Sequence, residues 1–242
     1  MTIKNLFDLS GRKAIITGGS RGLGLQIAEA LGEQGAQVVL AARKQNELDE
    51  AVAHLDKLGV KAHAMSVDLS KPELVTDFAN AAIAKLGHVD ILINNAGVFL
   101  PGAISKEDED TLSTLLETNL YSAYHLTRAV LPAMLPHRSG HIFNMCSIAS
   151  ITAYPTGGSY SISKFALLGF NKVLREEMKP LGVRVTALLP GAVLTPAWGG
   201  TTLPDTRFIR ATDISDALWA CYKLSDSAVV EELLIRPQEG DI

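Results

Sequence analysis

The chain has 242 residues, 47 % of them hydrophobic and 20 % charged, with a formal net charge of −4. That length suits one well-buried domain and is short for two. Mild acidity, with no run of Lys or Arg and no apolar stretch approaching about eighteen residues, excludes nucleic acid as the main partner and predicts no membrane span.

Residues 13–17 form a short, apolar, β-branched run that ends in glycine, the pattern of a buried parallel strand. Residues 23–34 follow with helical spacing at Leu23, Ile27, Ala30 and Leu31, and stop at Gly35. Residues 37–42 read as a second strand and 45–58 as a helix closed by Gly59. Further strands are expected at 61–67, 90–94, 141–146, 183–189 and 231–235, with helices at 72–86, 111–135, 159–179 and 214–224. The alternation shows no repeat and no linker. It predicts a single α/β domain over 1–242, a Rossmann-like doubly wound parallel sheet of about seven strands flanked by helices. Residues 197–209, rich in Gly, Thr and Pro, break the pattern and predict a short substrate loop near 192–210.

The residues that carry chemistry collect at strand ends. Gly18, Ser20, Arg21, Gly22, Leu23 and Gly24 follow the first strand, and Asp68 with Leu69 the third. Asn94, Asn95, Ala96 and Gly97 close the fourth, Ser147 the fifth, and Pro190 with Gly191 the sixth. All lie at carboxyl ends, the edge at which open α/β sheets bind ligands. Glycines let the backbone approach a ligand, and a helix start presents free N–H groups to a phosphate. The spacing Gly-x-x-x-Gly-x-Gly differs from the Gly-x-Gly-x-x-Gly dinucleotide fingerprint. Gly18 to Gly22 also fits the Gly-x-Ser-x-Gly elbow of α/β-hydrolases, but that elbow needs strands upstream and only nineteen residues precede Ser20.

Tyr160 and Lys164 stand one helical turn apart, thirteen residues beyond Ser147. A phenol, with a pKa of about 10, is a poor proton donor at neutral pH. An ammonium on the same helix face favours the phenolate, and a nearby hydroxyl steadies the oxygen that gains or loses the proton. Such a site suits making or breaking an alcohol O–H bond. Cys146 and Cys221 lie far apart, and the six histidines are scattered, so reduced thiols and no metal site are expected. Residues 1–11 lack the apolar core of a signal peptide, which predicts a cytoplasmic protein.

Taken together, Thr17-Gly18-x-x-x-Gly22-x-Gly24, Asp68, Asn94-Asn95-Ala96-Gly97, Asn119, Ser147, Tyr160-x-x-x-Lys164 and Pro190-Gly191 resemble the short-chain dehydrogenase/reductase family in its roughly 250-residue form. The match runs in order from about residue 10 to 195. The resemblance implies a catalytic set of Asn119, Ser147, Tyr160 and Lys164. Tyr160 would be the acid/base and Ser147 would bond the substrate oxygen. Lys164 would bind the nicotinamide ribose and lower the Tyr160 pKa, and Asn119 would hold a water linking Lys164 to solvent. It further implies nicotinamide-dinucleotide contacts from Gly18, Ser20, Arg21, Gly22, Leu23, Gly24, Arg43, Asp68, Leu69, Asn94, Ala96, Gly97, Tyr160, Lys164, Pro190, Gly191, Val193 and Thr195.

Enzymes of this architecture that prefer NAD place an acid at the end of the second strand. Here Ala42 stands at that end and Arg43 follows, which predicts NADPH over NADH. The expected partner is a small carbonyl or alcohol, held between residues 148–154, 99–103 and the loop around Trp198. These walls are mostly apolar and show no cationic clamp. Two other readings stay open on the same fold. One is an epimerase or dehydratase of the extended branch, disfavoured by length and glycine spacing. The other is a catalytically silent nucleotide sensor or scaffold. The long helices 111–135 and 159–179 resemble the family's dimer-forming pair, so a homodimer is expected. The tail 234–242 departs from the glycine-rich ending used in tetramer packing, which puts a tetramer in doubt.

Overall fold

The computed structural model describes residues 8–242. The expectation for residues 1–11 therefore falls largely outside the described part. Seven strands form one parallel sheet: β1 Lys13–Thr17, β2 Gln37–Ala42, β3 Ala62–Ser66, β4 Ile91–Asn94, β5 His141–Met145, β6 Arg184–Pro190 and β7 Glu232–Ile235. Their spatial order is β3-β2-β1-β4-β5-β6-β7. Chain order reverses between β1 and β4, so the crossovers leave on opposite faces there and open a crevice at the carboxyl edge.

The helices are α1 Gly22–Glu33, α2 Gln45–Lys57, α3 Pro72–Leu86, α4 Thr111–Leu116, α5 Ser122–Met134, α6 Gly158–Met178 and α7 Ala211–Tyr222. Alternate strand residues feed two separate cores, as a sheet buried on both faces requires. Ile16, Val38, Leu40 and Ile93 pack with Ile27, Leu31, Leu48 and Leu218 of α1, α2 and α7. Ile15, Val39 and Leu92 pack with Phe78, Leu126, Val130 and Leu174 of α3, α5 and α6. Leu9, beyond the strands, closes the first core at its edge.

The structure departs from the expected elements in two places. The helix expected over 111–135 is interrupted by a π-turn at Glu117–Tyr121, which separates α4 from α5. The expected loop at 197–209 holds two single turns of 3-10 helix, Pro196–Trp198 and Asp205–Arg207, and α7 starts earlier than predicted. A parallel bridge, Val193 to Ile209, and an edge-on contact of Trp198 with Phe208 at 5.0 Å fold this segment on itself. The tail beyond β7 packs under it: Pro237 fills the space beside Gly191, and Arg207 pairs with Glu239 at 3.3 Å. Among the described residues no helix is long and apolar enough to cross a membrane.

Candidate active site

At the crevice, β1 runs into a turn whose geometry only glycine tolerates. Gly18 adopts φ +65°, and a Cβ on Gly24 would collide with the Gly18 carbonyl oxygen. Thr17 Oγ1 accepts the N–H groups of Asn95 at 2.9 Å and Ala96 at 2.8 Å, while the Asn95 amide donates to the Thr17 carbonyl at 2.9 Å. This stitch locks the end of β1 to the end of β4 and fixes the floor of a cleft of about 420 Å³.

The cleft is bordered by most of the expected cofactor contacts: Gly18, Ser20, Arg21, Gly22, Leu23, Gly24, Arg43, Asp68, Leu69, Ala96, Gly97 and Thr195. A backbone-lined floor with a helix N-terminus behind it fits the pyrophosphate of a dinucleotide. Asp68 is steadied by the Ser70 N–H at 3.0 Å and hydroxyl at 2.8 Å. Burial pushes its carboxyl up, but these bonds together with Arg43 and Lys71 outweigh that and leave it below the usual range.

Asn94, Tyr160, Lys164, Pro190, Gly191 and Val193 do not border this cleft, although Lys164 Nζ lies next to Gly97, which does. The Asn94 amide is turned into the core, donating to Thr127 at 2.9 Å and Asn144 at 2.8 Å, and Asn144 passes the chain on to Asn171 at 2.8 Å. Its side chain is therefore committed to holding β4, β5, α5 and α6 together. Conversely, Lys44, Glu47, Ser70 and Thr118 border the cleft although the sequence reading named none of them.

The expected catalytic set gathers next to Gly97 and Val98. Tyr160 sits in the first turn of α6 and Lys164 one turn later, with Ser147 just past β5. Ser147 starts a single 3-10 turn, taking the Ala149 N–H at 3.1 Å and giving its own N–H to Ser150 Oγ at 3.2 Å, so its hydroxyl is held in place. Phe99 lies edge-on to the Tyr160 ring at 4.8 Å. The start of α6 is capped from a distance: Glu107 accepts the Ser159 N–H at 2.9 Å and the Ser159 hydroxyl at 2.5 Å. Sequence spacing carried no sign of this cap, because its acceptor lies on the loop after β4.

Asn119 lies in the π-turn. Its amide accepts the Val98 N–H at 2.8 Å and donates to the Val98 carbonyl at 3.1 Å and Ser163 Oγ at 3.0 Å. The widened turn thus joins the cleft floor to α6, and π-turns of this kind recur at functional sites. Lys164 Nζ donates to the Met145 carbonyl at 2.8 Å, and burial brings its pKa down to about 8.

The Lys164 ammonium lies 5.9 Å from the centroid of the Tyr160 ring. Burial holds the phenol above its ordinary value, against the pull of a hydrogen bond with Ser147 and with Cys146 adding to the rise. One of the three N–H groups of the Lys164 ammonium is committed to the Met145 carbonyl. Phe99, against the Tyr160 ring, is exposed, as are Leu100 next to it in sequence and Ile151 after the Ser147 turn.

The family model described as short chain dehydrogenase matches residues 12–204. An uncharacterized oxidoreductase of Staphylococcus saprophyticus is 33 % identical over 233 residues, covering 96 % of this chain and all of that one. A metagenomic short-chain oxidoreductase solved in complex with NADP is similar at 33 % identity and a TM-score of 0.84, over 95 % of this chain and 98 % of that one. A 7α-hydroxysteroid dehydrogenase complexed with NADH and 7-oxo glycochenodeoxycholic acid aligns with a TM-score of 0.91 at 28 % identity, over 100 % of this chain and 98 % of that one. With its glycine turn, its Ser147, Tyr160 and Lys164 and a match over most of its length, this chain belongs to the short-chain dehydrogenase/reductase family of oxidoreductases.

Proposed function

We propose that the protein is an NADP(H)-dependent oxidoreductase that acts on a carbonyl or the matching secondary alcohol, with Tyr160 as acid/base. The observation that carries this reading is the hydrogen bond between Ser147 and Tyr160 with Lys164 Nζ next to Gly97, which borders the cleft at the sheet's switch point. When bound there, the nicotinamide supplies or takes up the hydride. Gly18 to Gly24 would hold the pyrophosphate, Asp68 and Leu69 would meet the adenosine part, and Lys164 would bond the nicotinamide ribose. Ser147 holds the substrate oxygen near the phenol. Tyr160 gives its O–H proton to the carbonyl oxygen in reduction and takes the proton of the alcohol in oxidation. Asn119 ties the π-turn to α6 through Ser163, and the Met145 carbonyl positions the Lys164 ammonium.

Arg43, following Ala42 at the end of β2, supplies the charge that a 2′-phosphate needs. The metagenomic neighbour solved with NADP supports this choice. The exposed Phe99, Leu100 and Ile151 suit a neutral, medium-sized carbonyl compound. Two copies pair through the outward faces of α4, the π-turn, α5 and α6, where Leu112, Tyr121, Tyr124, Phe165 and Val173 are exposed. The test is a panel of ketones, aldehydes and 3-oxoacyl thioesters followed by NADPH absorbance, with NADH run in parallel. Turnover with at least one carbonyl, faster at limiting NADPH than at limiting NADH, is expected. Binding of NADPH without turnover of any member would favour the sensor reading instead.

A further inference from the structure

We propose that Glu47 sets how strongly the protein prefers a 2′-phosphorylated cofactor, by occupying the donors that such a phosphate would use. The inference rests on the NADP(H) reading of Ala42 and Arg43. Glu47 stands in the first turn of α2 and borders the same cleft as Ser20, Arg21, Ala42 and Arg43. Its carboxylate accepts the Lys44 ammonium at 2.9 Å and the Ser20 hydroxyl at 3.3 Å, and lies 3.8 Å from the Arg21 guanidinium. Three donors that face the end of β2 are thereby turned onto one side chain.

A carboxylate and a phosphate monoester take the same kind of charge-assisted hydrogen bond from Arg, Lys and Ser. They carry the same sign and compete for these donors, and a phosphate set beside Glu47 is repelled by it. The pairs are solvent-screened: the Lys44 and Arg21 side chains are 64 % and 65 % exposed, against 22 % for Glu47. Their exchange with a phosphate therefore costs charge pairing and little packing. A cofactor with a free 2′-hydroxyl brings no charge to that position and leaves the Glu47 pairs standing. Glu47 accordingly narrows the margin that Arg21, Arg43 and Lys44 would otherwise give to the phosphorylated cofactor. It acts from the helix and not from the strand end, where Ala42 leaves no acid.

The test is binding without turnover. Wild type, Glu47→Gln, Glu47→Ala and Arg43→Ala are titrated with 2′,5′-ADP and 5′-AMP by calorimetry, then with NADPH and NADH. Glu47→Gln should tighten 2′,5′-ADP and NADPH about 3- to 10-fold, the span of one or two screened ionic contacts, with 5′-AMP and NADH within about twofold. Glu47→Ala, which also removes the acceptor for Ser20 and Lys44, should do at least as much. Unchanged 2′,5′-ADP affinity in both variants, or equal tightening of 5′-AMP, would overturn the assignment of Glu47. If Arg43→Ala weakens 2′,5′-ADP in the same experiment, the NADP(H) reading survives that failure. If wild type does not distinguish 2′,5′-ADP from 5′-AMP and Arg43→Ala changes nothing, the NADP(H) reading falls and takes the role of Glu47 with it.

Discussion

Lys164 is 6 % exposed, its ammonium donates to the Met145 carbonyl oxygen, and burial lowers its pKa from an ordinary 10.5 to about 8. Between those two values the unfolded chain binds more protons than the native one, so wild-type stability rises with pH across that window. Lys164→Met removes the titration. The unfolding free energy of wild type relative to this variant should therefore climb by about 3 kcal/mol between pH 8 and pH 10.5, read from urea transitions. A flat difference across that range would show that the ammonium is not held in a costly environment. Gly24 offers a second residue-level check. Gly24→Ala forces a methyl onto the Gly18 carbonyl, and such overpacking typically costs about 1–3 kcal/mol. The same methyl deforms the phosphate turn, so NADPH affinity should fall with stability; a variant that binds NADPH as tightly as wild type would contradict the role given to this turn.

At the scale of elements, α6 presents Tyr160 from its first turn, and the Glu107 cap decides how firmly that turn is held. Glu107→Ala should lower the unfolding free energy by about 1–2 kcal/mol, the usual effect of losing an N-terminal cap, and Glu107→Gln, which keeps an acceptor, by less. Identical urea midpoints for Ala and wild type would mean that α6 does not depend on this cap. The strands were legible because apolar, β-branched runs such as residues 13–17 and 37–42 leave little choice of element. The π-turn was not. Glu117 to Tyr121 is compatible with ordinary helix, and the extra residue is accommodated by the bonds between Asn119, Val98 and Ser163, which lie 21 and 44 residues apart in sequence. Glu107 and Glu47 escaped notice for the same reason. Each acts on a partner that only the folded chain brings near, whereas Ser147, Tyr160 and Lys164 announce themselves by fixed local spacing. The side-chain direction of Asn94 was likewise unreadable, since one step of strand register separates cleft from core.

For the whole molecule, the doubly wound sheet places its chemistry along one edge and leaves the outer faces of α4, α5 and α6 with exposed apolar side chains, Val173 at 60 % among them. If two copies pair through these faces, light scattering should report a dimer, and Val173→Glu combined with Phe165→Glu should yield monomer at micromolar concentration. A monomeric wild type would remove this interface. If Tyr160 is the acid/base, carbonyl reduction depends on the proton that its oxygen delivers. The most direct measurement compares kcat for carbonyl reduction by wild type and Tyr160→Phe at saturating NADPH, with the NADPH Kd of each taken alongside. The account predicts a fall in kcat of about 10²- to 10⁴-fold with Kd changed by less than about threefold. A Tyr160→Phe enzyme that keeps more than about a tenth of wild-type kcat would contradict it.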